Sequence, residues 1–260
     1  MTAHGSSGVN ALDNALDILQ ALTASGGAGV TELASQVDVS KSAVYKHLAT
    51  LERRGYVVRD DDGTYDVGLR WLTVGGYARQ RVASFHRVQR STWEMADETG
   101  ELVLFSTRVD DASMPLYHAR GERAVTTDSY TGLALPLHCT ATGKAILAAL
   151  GDRREPILDR LAFAPHTANT ITDREAFEAD LERTARRGYS LEDEERIDGM
   201  RGIGVPVTNG RTGAVLGAFA LTGPAHRIDG ERFTESFPEL LVNRAREVEI
   251  NVTYESATHD

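Results

Sequence analysis

The chain has 260 residues with 28 Lys and Arg against 38 Asp and Glu, a formal net charge of −10 at pH 7, and one cysteine. That length gives room for one large domain or two ordinary ones, and the lone Cys139 excludes an intramolecular disulfide and a cysteine-built zinc finger. No apolar run reaches about 18 residues and no charged-then-apolar leader opens the chain, so no membrane partner is expected and a cytoplasmic location is.

The first nine residues are rich in Gly and Ser without periodicity and read as a disordered tail. Asn10 reads as a helix N-cap; Leu12, Ala15, Leu16, Leu19 and Leu22 then share one face of a helix that ends before Ser25-Gly26-Gly27. Thr31 is expected to cap a second helix, with Leu33, Ala34 and Val37 at helical spacing, stopping at Asp38-Val39. Ser40 caps a third. Its Val44, Leu48 and Leu51 recur at intervals of four and three and must pack inward. The opposite face presents Lys41, Ser42, Tyr45 and Lys46, residue types that contact phosphates and base edges. After Arg53-Arg54-Gly55 the period becomes extended: Tyr56-Val57-Val58, a turn at Asp60-Asp61-Asp62-Gly63, then Thr64 to Val67. Residues 10–68 are thus expected to form a winged helix-turn-helix that binds double-stranded DNA through Ser40, Lys41, Ser42, Tyr45, Lys46, Arg53 and Arg54. The bland alternative for that helix face is simple solvation.

Charge qualifies this reading. Residues 1–70 hold six Lys or Arg against nine Asp or Glu, whereas Ser40 to Arg54 holds four basic residues against Glu52 alone. Non-specific affinity for DNA should be weak, with specificity resting on a few placed contacts. Only Lys41, Lys46 and Lys144 are lysines. An acid excess with arginine in place of lysine fits a GC-rich, salt-adapted source such as a halophilic archaeon; a generic acidic cytosolic protein is the alternative.

Residues 69–98 are expected to form a linker helix, bent at Gly75-Gly76, that buries its scattered apolar residues against a second subunit. From Gly100 strands appear at Glu101 to Thr107 and Met114 to Ala119, followed by helices near Thr142 to Leu150, Arg153 to Leu161 and Asp173 to Arg187, the last closed by Gly188. Strands at Gly202 to Val207 and Val215 to Leu221, joined at Asn209-Gly210, and a final helix from about Glu231 to Val252 complete an α+β domain over residues 99–260.

Three stretches together resemble the IclR family of transcriptional regulators: the winged helix-turn-helix, Leu135-Pro-Leu-His-Cys-Thr-Ala-Thr-Gly-Lys-Ala-Ile-Leu147, and Arg187 to Glu195 with Gly204-Val-Pro-Val207 leading to Leu221-Thr-Gly-Pro224. The resemblance implies a GAF-like α/β sandwich as effector-binding domain, a homodimer or dimer of dimers on a pseudo-palindromic operator, and a small-molecule effector, often an organic or sugar acid. It places Leu135, Ala141, Thr142, Glu192, Asp193, Met200, Gly202, Ala220 and Thr222 around that effector. The chain departs from the family in having Gly202 where cysteine is frequent, Ala220 and Thr222 where small hydroxyl residues are, and Glu192 where aspartate is common. Thr142 and Gly143 are expected to open a helix whose free N–H groups favour a carboxylate.

Other readings are weaker. His138-Cys139 offers two adjacent metal ligands with no third in view, and no spacing points to a cysteine nucleophile. Ala141-Thr142-Gly143-Lys144 lacks the preceding glycine and following hydroxyl of a phosphate loop, which leaves Lys144 as a surface or interface charge. Glu192 to Glu195 reads by default as a solvated acidic turn. Neither a cofactor nor a metal is expected. The alternatives are a redox- or metal-responsive regulator sensing through Cys139, and an enzyme with an accessory helix-turn-helix.

Overall fold

The computed structural model describes residues 8–82 and 85–255, in two compact units that meet between Arg81 and Val82. Of the expected tail, residues 1–7 lie outside the described residues, and Val9 already serves as the extended residue before α1 (Asn10–Ser25). α2 (Val30–Gln36) and α3 (Lys41–Arg53) follow, then β1 (Val57–Arg59), β2 (Tyr65–Val67) and α4 (Trp71–Gln80). Ile18 and Leu22 of α1, Leu33 of α2, Val44 and Leu48 of α3, and Val57 and Tyr65 of the strands form the core of this unit. Leu12 and Leu16, expected in that core, are exposed; Ile18 occupies the inward face in their place. α2 starts two residues early, with Gly29 and not Thr31 at its N-cap.

The wing is an antiparallel pair, Val57 opposite Val67 and Arg59 opposite Tyr65. Its turn is closed by Asp62 Oδ1 accepting from Thr64 N at 2.9 Å. Tyr65 and Ala28 exchange two backbone hydrogen bonds of 3.0 Å, which ties the wing to the loop before α2.

The second unit contains α5 (Phe85–Thr99), β3 (Leu102–Val109), β4 (Ala112–Arg120), β5 (Leu135–Pro136), α6 (Ala141–Leu150), α7 (Glu155–Leu158), α8 (Arg174–Arg187), β6 (Ser190–Asp193), β7 (Met200–Thr208), β8 (Val215–Pro224) and α9 (Phe237–Glu255). Its six strands form one antiparallel sheet in the order β5-β4-β3-β8-β7-β6. Alternation decides what each face carries. Val103, Phe105, Ile203, Val205, Phe219 and Leu221 face α5 and α9, while Leu104, Ala218 and Ala220 face α6. The small residues on the α6 side let that helix approach closely. A Cβ on Gly204 would stand 2.2 Å from the carbonyl oxygen of Ala141, so only glycine fits there.

Two expectations fail here. The stretch 69–98 is not one helix bent at Gly75-Gly76, which lie inside α4; α4 ends at Gln80 and α5 begins at Phe85. α5 buries Val88, Met95 and Ala96 in the sheet's own core, while its Trp93 stays 59% exposed, so only part of its apolar face is covered within the chain. The last hairpin also does not turn on Asn209-Gly210 alone. Residues 209–214 form the loop, with Gly213 at φ +67 and Asn209 N donating to Ala214 O at 2.8 Å.

Candidate functional site

Each unit carries one site. In the first, α3 is oriented by Val44 and Leu48, both fully buried, and started by Ser40, whose Oγ accepts from Ala43 N at 3.3 Å. The opposite face therefore points to solvent. Lys41, Ser42, Tyr45 and Lys46 are all exposed there, Tyr45 at 55%, as are Ser40, Arg53 and Arg54 at the helix ends. His47 is half-buried. The wing tip is poor in positive charge: Asp60, Asp61 and Asp62 are exposed, and Arg59 lies 5.3 Å over the Tyr65 ring. The exposed basic residues of α3 and its ends therefore form the densest positive patch of this unit.

In the second unit a cavity lies between the start of α6, β6, β7 and β8. It encloses about 500 Å³ of atom-free space, its mouth included. Eight of the nine residues expected around an effector line it: Leu135, Ala141, Thr142, Glu192, Met200, Gly202, Ala220 and Thr222. Asp193 does not. It is the next residue of β6, points outward, and pairs with Arg201 Nε at 2.6 Å. The expected acidic turn is thus partly strand, with Glu192 opposite Gly202 in the ladder.

That pairing explains two departures at once. A Cβ on residue 202 would stand 3.1 Å from Glu192 Oε2 and 3.0 Å from Ala141 Cβ, so the longer acid occupies the room that glycine leaves. Glu192 is buried, and its Oε1 accepts from Glu195 N at 2.6 Å and Arg196 N at 3.2 Å. Burial pushes its carboxyl up to about 7, against those two N–H donors, which pull it down.

The helix start also differs from expectation. α6 is capped by Thr140, whose Oγ1 accepts from Gly143 N at 3.2 Å. Gly143 N is therefore occupied, and among the described residues nothing accepts from Ala141 N or Thr142 N, the two free donors of this helix end. Thr142 Oγ1 is bonded to Ser113 Oγ at 2.8 Å.

Residues 78–250 match the family described as bacterial transcriptional regulator IclR C-terminal, and residues 11–61 match the IclR helix-turn-helix domain. The chain belongs to the IclR family of transcriptional regulators. It is 31% identical over 243 residues, 92% of each chain, to a probable HTH-type transcriptional regulator ArcR of Halobacterium salinarum. The Thermotoga maritima IclR structure superposes with a TM-score of 0.76 at 27% identity, covering 94% of this chain and 99% of that one. An IclR homolog from Microbacterium hydrocarbonoxydans, complexed with 4-hydroxybenzoate, shares the fold at a TM-score of 0.79 and 20% identity, covering 93% and 98%.

This IclR-family regulator has an N-terminal helix-turn-helix and a C-terminal effector-binding domain. Sequence reading missed part of the latter's cavity wall. Leu104 enters through its register with Ala220, and Thr127 and Ser129 enter from the irregular stretch between β4 and β5. Arg196 also lines it, and its guanidinium takes Asp128 in a two-point contact.

Lys144 is the largest correction. It is 1% exposed, not a surface charge. Its Nζ donates to Leu191 O at 2.9 Å and Glu195 Oε1 at 2.6 Å, and stands 2.7 Å from Asp180 Oδ2, an ionic contact without hydrogen-bond alignment. Glu195 is buried too, and burial raises its carboxyl while the Lys144 ammonium pulls it down.

Cys139 is fully buried, and burial, with Glu192 and Glu195 nearby, pushes its thiol up to about 12. A thiol held protonated is neither an effective nucleophile nor the exposed thiolate of a redox sensor. His138, also buried, donates Nε2–H to Ala164 O at 2.9 Å. The one group of nitrogen, sulfur and carboxylate donors among the described residues close enough to hold a metal ion is His138, Cys139 and His166.

Proposed function

We propose that this regulator binds a pseudo-palindromic operator as a homodimer or dimer of dimers in the cytoplasm, and that a small organic or sugar acid in the second unit's cavity sets its affinity for that operator. The observation that carries the acid is the cavity itself: two free N–H donors at a helix start, on the one side, face a neutralisable Glu192 on the other. The 4-hydroxybenzoate seen in the Microbacterium homolog is a small organic acid of the same kind. Glu192, Thr142, Ala141, Met200, Gly202, Ala220, Leu135 and Thr222 contact the ligand; Asp193 is withdrawn from that set because it points away.

Base and phosphate contacts come from Lys41, Ser42, Tyr45 and Lys46, flanked by Ser40, Arg53 and Arg54. Support for the dimer comes from exposed apolar residues in the first unit, with Leu69 at 81% and Leu72 at 69%, on or beside an α4 that buries none of its residues. Two heads then meet half-sites about 34 Å apart or a multiple of that. A gel shift of the full chain on its own upstream region tests the reading. Binding with sequence preference at fixed salt, shifted by one member of a panel of small acids that also raises the melting temperature, supports it. Equal affinity for random DNA, or no response across the panel, refutes it. Buried and protonated, Cys139 does not support an enzymatic or redox role.

A further inference from the structure

We propose that His138, Cys139 and His166 form a binding site for a soft divalent cation, zinc in the first place. The proposal is independent of the effector reading. The three side chains each present one ligand atom, and these atoms lie within 4.8 Å of one another. A nitrogen and sulfur donor set is the one zinc prefers; tetrahedral bonds of about 2.0–2.1 Å to nitrogen and 2.3 Å to sulfur put donors roughly 3.5 Å apart. The gap to be closed is therefore about 1 Å.

Two features make that closure easy and the site more than a chance grouping. His166 is exposed, in the irregular chain between α7 and α8, so its ring is free to swing, while the two partners are buried and fixed. The tautomer of His138 is already set. Its Nε2 faces a carbonyl, which only accepts, so Nε2 carries the proton and Nδ1 keeps its lone pair for a metal. A ring N–H on a backbone carbonyl is the usual outer partner of a metal-bound histidine. The ring contact between His138 and His166, 5.8 Å between centroids, puts both imidazoles side by side. Binding displaces the Cys139 proton to solvent and leaves a thiolate paired with the cation. Three protein ligands leave a fourth position for water.

The consequence is local. Thr170 Oγ1 accepts from His166 N at 3.0 Å and donates to Glu195 O at 2.6 Å, so the segment carrying His166 is already pinned to the end of the β6 turn. A metal would pin it a second time, to the residues just before the Thr140 cap of α6, and so brace the cavity wall that Cys139 and Thr140 share.

The test uses the untagged full chain, stripped with chelator, equilibrated with zinc alone, and analysed for bound metal. One zinc per chain is expected, with affinity at least about tenfold weaker in His166→Ala. Cobalt in place of zinc should give a thiolate charge-transfer band that Cys139→Ser lacks. Should Cys139→Ser fail to fold, His166→Ala, a change at an exposed position, still decides. Uptake of less than a tenth of an equivalent by the wild type, or equal zinc affinity in wild type and His166→Ala, overturns the proposal.

Discussion

Replacing Lys144 by methionine keeps an unbranched side chain one atom shorter and removes the buried cation from the cluster. Glu195 then loses its ion pair at 2.6 Å and Leu191 O its donor at 2.9 Å. Asp180 keeps Arg183 at 3.1 Å, so the uncompensated charge falls mainly on Glu195. Removing one partner of a buried pair costs about 3–5 kcal/mol. With a urea dependence of roughly 2–3 kcal/mol/M for a unit of this size, the midpoint should fall by about 1–2 M. The loss should depend on pH in a definite direction. Burial raises Glu195 and Lys144 lowers it, so without the lysine its folded value rises further above the unfolded one. A raised acid is tolerated below the unfolded value of about 4.3 and destabilises as pH climbs through the folded one. The deficit should therefore be largest at neutral pH and shrink on acidification. Hydrogen exchange of residues 141–150 in a urea series of the full chain reads this unit alone. Adding Glu195→Gln to Lys144→Met should recover most of the loss, because the anion that lost its cation is gone and Asp180 keeps Arg183. A midpoint shift below about 0.5 M, or a deficit that grows as pH falls, would refute the reasoning.

Glu192, raised to about 7 by burial, makes the fold's stability decline as pH rises from about 4.5 to above 7; Glu192→Gln should flatten that profile in a urea series across the same range, since the amide oxygen still accepts from Glu195 N and Arg196 N. In the same variant, the affinity of a carboxylate effector, measured by calorimetry, should lack the preference for pH below 7 expected of the wild type. Gly204→Ala places a Cβ against Ala141 O and Ser190 Oγ, 2.2 and 2.5 Å away, and should cost at least about 1–3 kcal/mol in urea unfolding. Lys46→Ala should lower operator affinity about equally across sequences and reduce the slope of log affinity against log salt by about 1, whereas Tyr45→Ala should relax sequence preference with the slope intact.

Where local rules act alone, the chain reads well. The α3 stripe, the Ser40 cap, the wing turn and the Gly188 helix stop all follow from residue type and period. What was illegible depends on partners distant in sequence. Lys144 looks like any surface lysine until Asp180 and Glu195 are brought to it, and Asp193 differs from Glu192 only by the side of a strand whose register is set by β7. His166 lies 28 residues after His138 in a stretch with no period, so the third donor had no local signal. Gly75-Gly76 suggests a bend in one long helix, yet the helix ends instead at Gln80, where no glycine or proline marks it.

The buried charges bear on how an acid enters the cavity. Lys144 is committed to Leu191 O, Glu195 and Asp180, and Arg196 to Asp128, so neither nearby cation is free for a ligand. Glu192 spends one oxygen on two backbone N–H groups and turns the other towards Gly202. The carboxylate of the proposed effector would meet the Ala141 and Thr142 N–H groups, the hydroxyl residues Thr127, Ser129 and Thr222 and the Glu192 carboxyl, with Lys144 and Arg196 both already paired. Two ionised carboxyls at that range repel, so the favourable complex holds one proton between them, and Glu192, titrating near 7, is the group placed to keep it. For the acid effector proposed above, binding in this unit would be a proton-coupled event near neutral pH.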